Sequence, residues 1–199
     1  MSLPAHSFTR LQAFAKDSEE LNVIIETPKG SRNKFNYDEE KGLFKLGGVL
    51  PAGAIFPFDF GFLPNTLGGD GDPVDVLVLM DEPAFAGCLV PSRLIGVIEA
   101  EQTERDGETN RNDRFIAVAA DSRDHRHINS LADLNAHLLD EIEHFFISYN
   151  EIKGKSFNPL GRFGPERAAK LVRDSMRDAG RKRGGAKAGA RKKSKTKGR

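Results

Sequence analysis

Six residues, Asp70 to Asp75, carry carboxylates at their first, third and sixth positions: Asp70, Asp72 and Asp75. Gly71 and Pro73 stand between them, and an apolar run, Val74 to Met80, follows directly. Glycine lets such a turn bend where a Cβ would clash, and proline fixes φ between the second and third acids. Carboxylates at this spacing in a tight turn can converge on one point. Uncompensated charges that close repel strongly in a partly dry site, so the cluster implies protonation or a bound cation. An all-oxygen donor set suits a hard ion, Mg2+ before Ca2+ or Mn2+. A solvated Asp/Gly loop is the plain alternative. The buried-looking strand that abuts the turn argues against it. A calcium loop of the EF-hand kind is disfavoured, because its sixth position needs glycine and here holds Asp75.

The elements that must position this turn are short strands. Leu21 to Glu26 reads as a buried strand ending in an acid. Lys34 to Tyr37 and Leu43 to Leu46 read as a hairpin around Asp38 to Gly42. Val49 to Pro64 is dense in Phe, Pro and Gly, which predicts a packed but irregular segment. Val74 to Met80 predicts a central strand; Cys88 to Val90, Leu94 to Ala100 and Phe115 to Ala119 predict three more. The charged stretch Glu99 to Arg114 reads as a long functional or mobile loop. Leu134, Leu138, Ile142, Phe145, Phe146 and Tyr149 fall on one helical face, with Ser130 or Asp133 as cap. Pro165 to Ala179 predicts a second helix, with Gly180 beyond its end. Strands followed by helices suggest an α+β fold, a small barrel with helices packed outside.

Composition narrows the class further. A chain of 199 residues, 38% hydrophobic, supports one domain with a real core. No run approaches the ~20 apolar residues of a membrane span, and Met1 to Lys16 does not read as a secretory signal. Cys88 is the single cysteine, which excludes an internal disulfide and fits a reducing cytoplasm. The net charge of +1 hides a split. Ten of the 30 Lys and Arg fall in residues 181–199, which hold no acid; the other 180 residues carry 20 basic and 29 acidic groups, a net of −9. Residues 1–180 are therefore expected to fold and 181–199 to form a disordered basic tail, suited to weak polyanion contact or to solubility alone.

Asp70-Gly71-Asp72-Pro73-Val74-Asp75-Val76-Leu77-Val78 resembles the signature of soluble family I inorganic pyrophosphatases. The resemblance extends through Ile24 to Pro28, the hairpin with Lys34, Phe56 to Pro64, Gly96 to Ile98 and His144 to Lys155. It implies a five-stranded OB-like β-barrel flanked by two C-terminal helices. It also implies Mg2+-dependent hydrolysis of pyrophosphate in the cytoplasm, by a homo-oligomer. Carried over residue by residue, Asp70 and Asp75 are metal ligands, and Asp72 sits by the attacking water as its general base. Glu26 lies near a further metal. Lys34 and Tyr149 contact phosphate, with Lys155 farther out and Arg114 in the place of a lysine. Taken alone, Glu26, Lys34, Arg114 and Tyr149 read as surface or core residues; only the resemblance makes them site residues.

The departures from that pattern concern charge. Asn36 stands for an acid, Gly48 for a phosphate-binding arginine, Phe56 and Phe60 for tyrosines, and Asn150 for a lysine. Gln102 and Asn112 fall where two metal-binding aspartates are expected, in a loop about five residues longer than the family form. Asn112 and its neighbour Asp113 are the expected loop ligands, with Glu101 and Glu104 as other acids in reach. Two alternatives follow: a nucleic-acid-binding OB-like module with a relic metal site, or a hydrolase of another phosphoanhydride.

Overall fold

The computed structural model describes Phe8 and residues 11–196, with side chains as far as residue 184. Nine strands and two helices follow one another: β1 Leu21–Thr27, β2 Asn33–Asp38, β3 Leu43–Val49, β4 Asp59–Phe62, β5 Asp75–Leu79, β6 Leu89–Thr103, β7 Thr109–Arg111, β8 Arg114–Ala119, α1 Ala136–Glu151, β9 Ser156–Phe163 and α2 Pro165–Thr196. Strands β1, β4, β5, β8 and β6 pair in that order, and β6 pairs back to β1, which closes a five-stranded ring. β7 and β9 add to β6 outside the ring, and β2–β3 form a separate hairpin. The α+β class and the OB-like ring expected from the sequence are both present. The barrel is not a clean one, since β5 and β8 run parallel while the ring's other pairs are antiparallel.

Alternation along the strands explains how the ring is buried on both faces. On β5, Leu77 and Leu79 join one apolar cluster, with Ile116 and Val118 of β8 and Ile142 and Phe146 of α1. Val76 and Val78 join the other, with Phe115 and Ala117 of β8 and Ala168 and Val172 of α2. A strand covered on both sides must be apolar throughout, and β5 is, apart from Asp75 at its first position. Asp75 shares its face with Leu77 and Leu79, the face that α1 covers. Arg114, directly opposite Asp75 in the parallel ladder, shares the face of Ile116 and Val118. The ladder thus delivers an acid and a base, side by side, to the α1 side of the ring.

Several local expectations are corrected. The two strands expected between Cys88 and Ala100 are one: Leu89 to Ala100 is part of a single 15-residue strand, β6, and Cys88 lies just before it. Pro91 does not break it, because its carbonyl accepts from Ala120 at 2.8 Å and no N–H is required there. The charged stretch from Glu99 to Arg114 is a paired hairpin, in which Glu101 faces Arg111 and Thr103 faces Thr109. Asn135 caps α1, accepting from the His137 N–H; Ser130 and Asp133 form a reciprocal capping box on a single 3-10 turn just before it. α2 does not stop at Gly180 but runs to Thr196. The expected tail of 181–199 falls largely outside the residues whose side chains are described.

One clamp holds α2 to the sheet. The buried Glu99 carboxylate of β6 accepts from Arg111 of β7 and from Arg167 of α2, each at 2.6 Å. The Arg167 hydrogen bond, ahead of that from Arg111, holds the Glu99 carboxyl below its ordinary range. A depressed folded-state pKa stabilises the fold above the unfolded value and loses that contribution as pH falls through the folded one. Glu99→Gln is therefore expected to lower stability by about 2 kcal/mol at neutral pH. Thermal melts in acid should show the gap to the unmodified protein closing; a gap that persists at low pH would count against the clamp.

Candidate active site

A cleft of about 810 Å3 opens on the α1 side of the ring, between the β2–β3 hairpin, the aspartate turn and the end of α1. Glu26, next to last in β1, lies there. Its Oε2 accepts from Lys34 Nζ at 2.8 Å and its Oε1 from the Tyr37 N–H at 2.8 Å. One carboxylate thus fixes the hairpin over the cleft and orients the lysine, whose ammonium also lies 4.3 Å from the Phe60 ring centroid. At the ladder end, Arg114 donates to Asp75 Oδ2 at 2.7 Å and stacks 4.8 Å from the centroid of Phe146. Burial raises the Asp75 carboxyl pKa more than Arg114 and Lys34 lower it.

The aspartate turn is built by its own backbone. Gly68 N–H donates to the Asp72 carbonyl at 2.6 Å, and Asp72 N–H donates to Asp70 Oδ1 at 3.1 Å. Gly71 adopts a φ of 89°, a conformation that favours glycine. Gly69 is needed for approach, since a Cβ there would meet the Arg111 carbonyl oxygen at 2.6 Å. The three acids separate. Asp72 and Asp75 line the main cleft, while Asp70 faces a neighbouring cavity of about 360 Å3 shared with Asp75, Asn112 and Asp113. Partial burial, then the charges of Asp75 and Asp72, raise the Asp70 pKa.

The amides that stand where loop aspartates are expected belong to a polar chain. Lys155 pairs with Glu104 at 2.6 Å, and Glu104 accepts from Gln102 Nε2 at 2.6 Å. Gln102 Oε1 accepts from Asn112 Nδ2 at 3.2 Å, and Asn112 Oδ1 accepts from Arg114. Asp113 is turned onto the sheet, accepting from the Ala100 N–H at 2.9 Å and pairing with Arg111 at 2.8 Å. The two amides thus carry hydrogen bonds from Lys155 to Arg114 without adding charge.

Tyr149, on the last turn of α1, stacks on Phe145 with ring centroids 5.8 Å apart and faces the cleft. Burial, helped by the Asp75 charge, pushes its phenol up to about 12. Its hydroxyl accepts from Lys153. The sequence reading missed Lys153, although its spacing of four residues from Tyr149 is the helical-neighbour signal. It also missed Lys182 and Arg183, which α2 brings to the cleft mouth.

A family model for inorganic pyrophosphatase matches residues 23–179 of this chain. The chain belongs to the inorganic pyrophosphatase family. It is therefore a hydrolase. Inorganic pyrophosphatases of Synechocystis and Halalkalibacterium halodurans are 38% and 39% identical to it, over 79% and 76% of this chain and 90% of each relative. The crystal structure of the Thermus thermophilus inorganic pyrophosphatase superposes with a TM-score of 0.78 at 34% identity, covering 87% of this chain and 98% of that one. The cleft is lined by, among others, Glu26, Lys34, Asp72, Asp75, Arg114, Tyr149 and Lys155, all of which the sequence singled out. Asp70, Asn112 and Asp113 line the cavity beside it.

Among the described residues, no three His, Cys, Asp or Glu side chains converge closely enough to hold a metal ion. The protein's own cations stand against two of the acids, Arg114 on Asp75 and Lys34 on Glu26. The donor chemistry still fits a hard divalent ion. Asp70, Asp72 and Asp75 offer only carboxylate oxygens, and their mutual repulsion, with burial, disfavours the charged state of Asp70 and Asp75.

Proposed function

We propose that this chain hydrolyses inorganic pyrophosphate to two phosphates with Mg2+ as cofactor, in the cytoplasm. The observation that carries the mechanism is the state of Asp72. Of Glu26, Asp72 and Asp75, it is the carboxylate that no cation of the described protein engages, so it is available to accept a proton from water. Asp70 and Asp75 are the proposed metal ligands, with Glu26, Asn112 and Asp113 around them. Mg2+ bound there would neutralise substrate charge and lower the pKa of water at the site. Asp72 takes the proton of the attacking water. Lys34, Arg114, Tyr149 and Lys155 hold the phosphoryl oxygens and balance the charge that develops on the departing phosphate. No covalent intermediate is required.

The test is phosphate release from pyrophosphate with Mg2+ and with EDTA. Release is expected in Mg2+ and a loss of at least ~100-fold in EDTA; equal rates in both would overturn the cofactor assignment. A longer phosphoanhydride is a second reading, favoured by the volume of the cleft and by Lys182 and Arg183 at its mouth. Turnover of tripolyphosphate above that of pyrophosphate would favour it. The nucleic-acid reading rests on residues 181–199, most of whose side chains are not described, and on Gly48 and Asn150 standing where phosphate-binding residues are expected. Assembly with further copies of the chain is supported by the exposed apolar residues of β3, Leu43, Leu46 and Val49.

A further inference from the structure

We infer that Lys153 is a substrate-positioning residue of this cleft, holding the outer phosphate of the bound anion together with Tyr149. The inference rests on the proposed pyrophosphate reading and adds a residue to it. Lys153 follows α1 in a turn closed by its own N–H to the Asn150 carbonyl at 2.9 Å, with Gly154 at a φ of 72° behind it. That turn folds the side chain back along the helix. Its ammonium lies 3.9 Å from the Tyr149 ring centroid and donates to the Tyr149 hydroxyl. The residue is exposed overall and lines the cleft.

Pairing separates Lys153 from its neighbours. Lys34 is bound to Glu26, Arg114 to Asp75 and Lys155 to Glu104. Among the described residues, Lys153 has no carboxylate within ion-pair distance, and its ammonium donates to a neutral phenol. A cation held in place without a counter-charge, beside three other cations, marks where an anion is to sit. The groups that face it are Tyr149 from α1, Lys155, Lys34 from β2, Arg114 from β8 and, opposing them, Asp75 from β5. Partial burial of its ammonium, then those cations, draws its pKa down to about 8. Asn150 cannot serve instead, because its buried amide is bound to the Phe146 carbonyl at 2.8 Å.

The experiment compares the full-length protein with Lys153→Gln and Lys153→Arg. One arm measures equilibrium binding of inorganic phosphate and of pyrophosphate by calorimetry from pH 6.5 to 9.5. The other measures kcat and KM for pyrophosphate. Lys153→Gln is expected to weaken both anions ~10-fold and to raise KM while changing kcat far less. In the unmodified protein, affinity is expected to fall as pH rises through about 8. Arginine keeps its charge across this range, so Lys153→Arg should retain the neutral-pH affinity and lose that alkaline decline. Unchanged anion affinity in Lys153→Gln, or an alkaline decline unchanged in Lys153→Arg, would overturn the assignment. Absence of pyrophosphate turnover in the unmodified protein would sink the enzyme reading instead, while the phosphate-binding arm still decides Lys153.

Discussion

Asp72→Asn should reduce kcat for pyrophosphate by ~1,000-fold, the middle of the range for removing a general base. The substitution keeps the shape of the side chain and deletes its ability to take a proton. It leaves untouched the two backbone contacts that shape the turn, Gly68 N–H to the Asp72 carbonyl and Asp72 N–H to Asp70. The side chain is exposed and makes no hydrogen bond to the described protein, so no buried partner is stranded. Its melting temperature should stay within about 2 °C of the unmodified protein. The result to look for is a collapse of turnover with an intact fold and an intact KM. Turnover within tenfold of normal would remove Asp72 from the role of base.

Arg114→Met should lower stability by about 3 kcal/mol, or roughly 6–12 °C in melting temperature for a chain of this size. The guanidinium side chain is only 6% exposed, and its loss strands the Asp75 carboxylate at the cleft floor. The lower end of the usual range for breaking a buried pair is chosen because the Asp75 side chain keeps 23% of its surface in solvent. Methionine fills the space against Phe146 and Phe157, so the effect reports charge rather than a cavity. Two further measurements separate causes. Asp75→Asn combined with Arg114→Met should recover part of the loss, because no unpaired charge then remains. Added Mg2+ should also recover part of it if Asp75 is a ligand, since an ion that binds the folded state raises its stability. Melting curves of Arg114→Met that match the unmodified protein would show that the pair does not hold the ladder end.

The aspartate turn was legible in the sequence because its information is local: three acids, a glycine and a proline within six residues, then an apolar strand. The strand-to-strand delivery of Asp75 and Arg114 was half legible. Each strand was visible from its apolar run, but their parallel register is set by contacts that no short window contains. Strand β9 was invisible for a different reason. Pro159 and Gly161 argue against a strand, and both are tolerated because β9 is an added strand whose register slips near Glu99 and Ala100 of β6. The charged stretch from Glu99 to Arg114 reads as a functional or mobile loop because sequence shows sign without partner; in the fold, Glu99 is buried between two arginines. Gln102 and Asn112 read as amides standing where metal-binding aspartates are expected, and only the fold shows them carrying hydrogen bonds toward Arg114.

Helix α2 lies against the aspartate turn as well as the sheet. Ser175 takes the Leu67 N–H on its carbonyl at 3.2 Å, Lys182 reaches the Gly71 carbonyl at 3.5 Å, and Arg183 donates to Asn65. The turn is therefore braced by a segment translated about a hundred residues after it. A chain still emerging from the ribosome has the loop but not its brace, and the same is true of β9, which lies along β6. Catalytic competence should arrive late in synthesis, and a premature stop before α2 should yield a polypeptide with every proposed ligand and an unsupported loop to carry them.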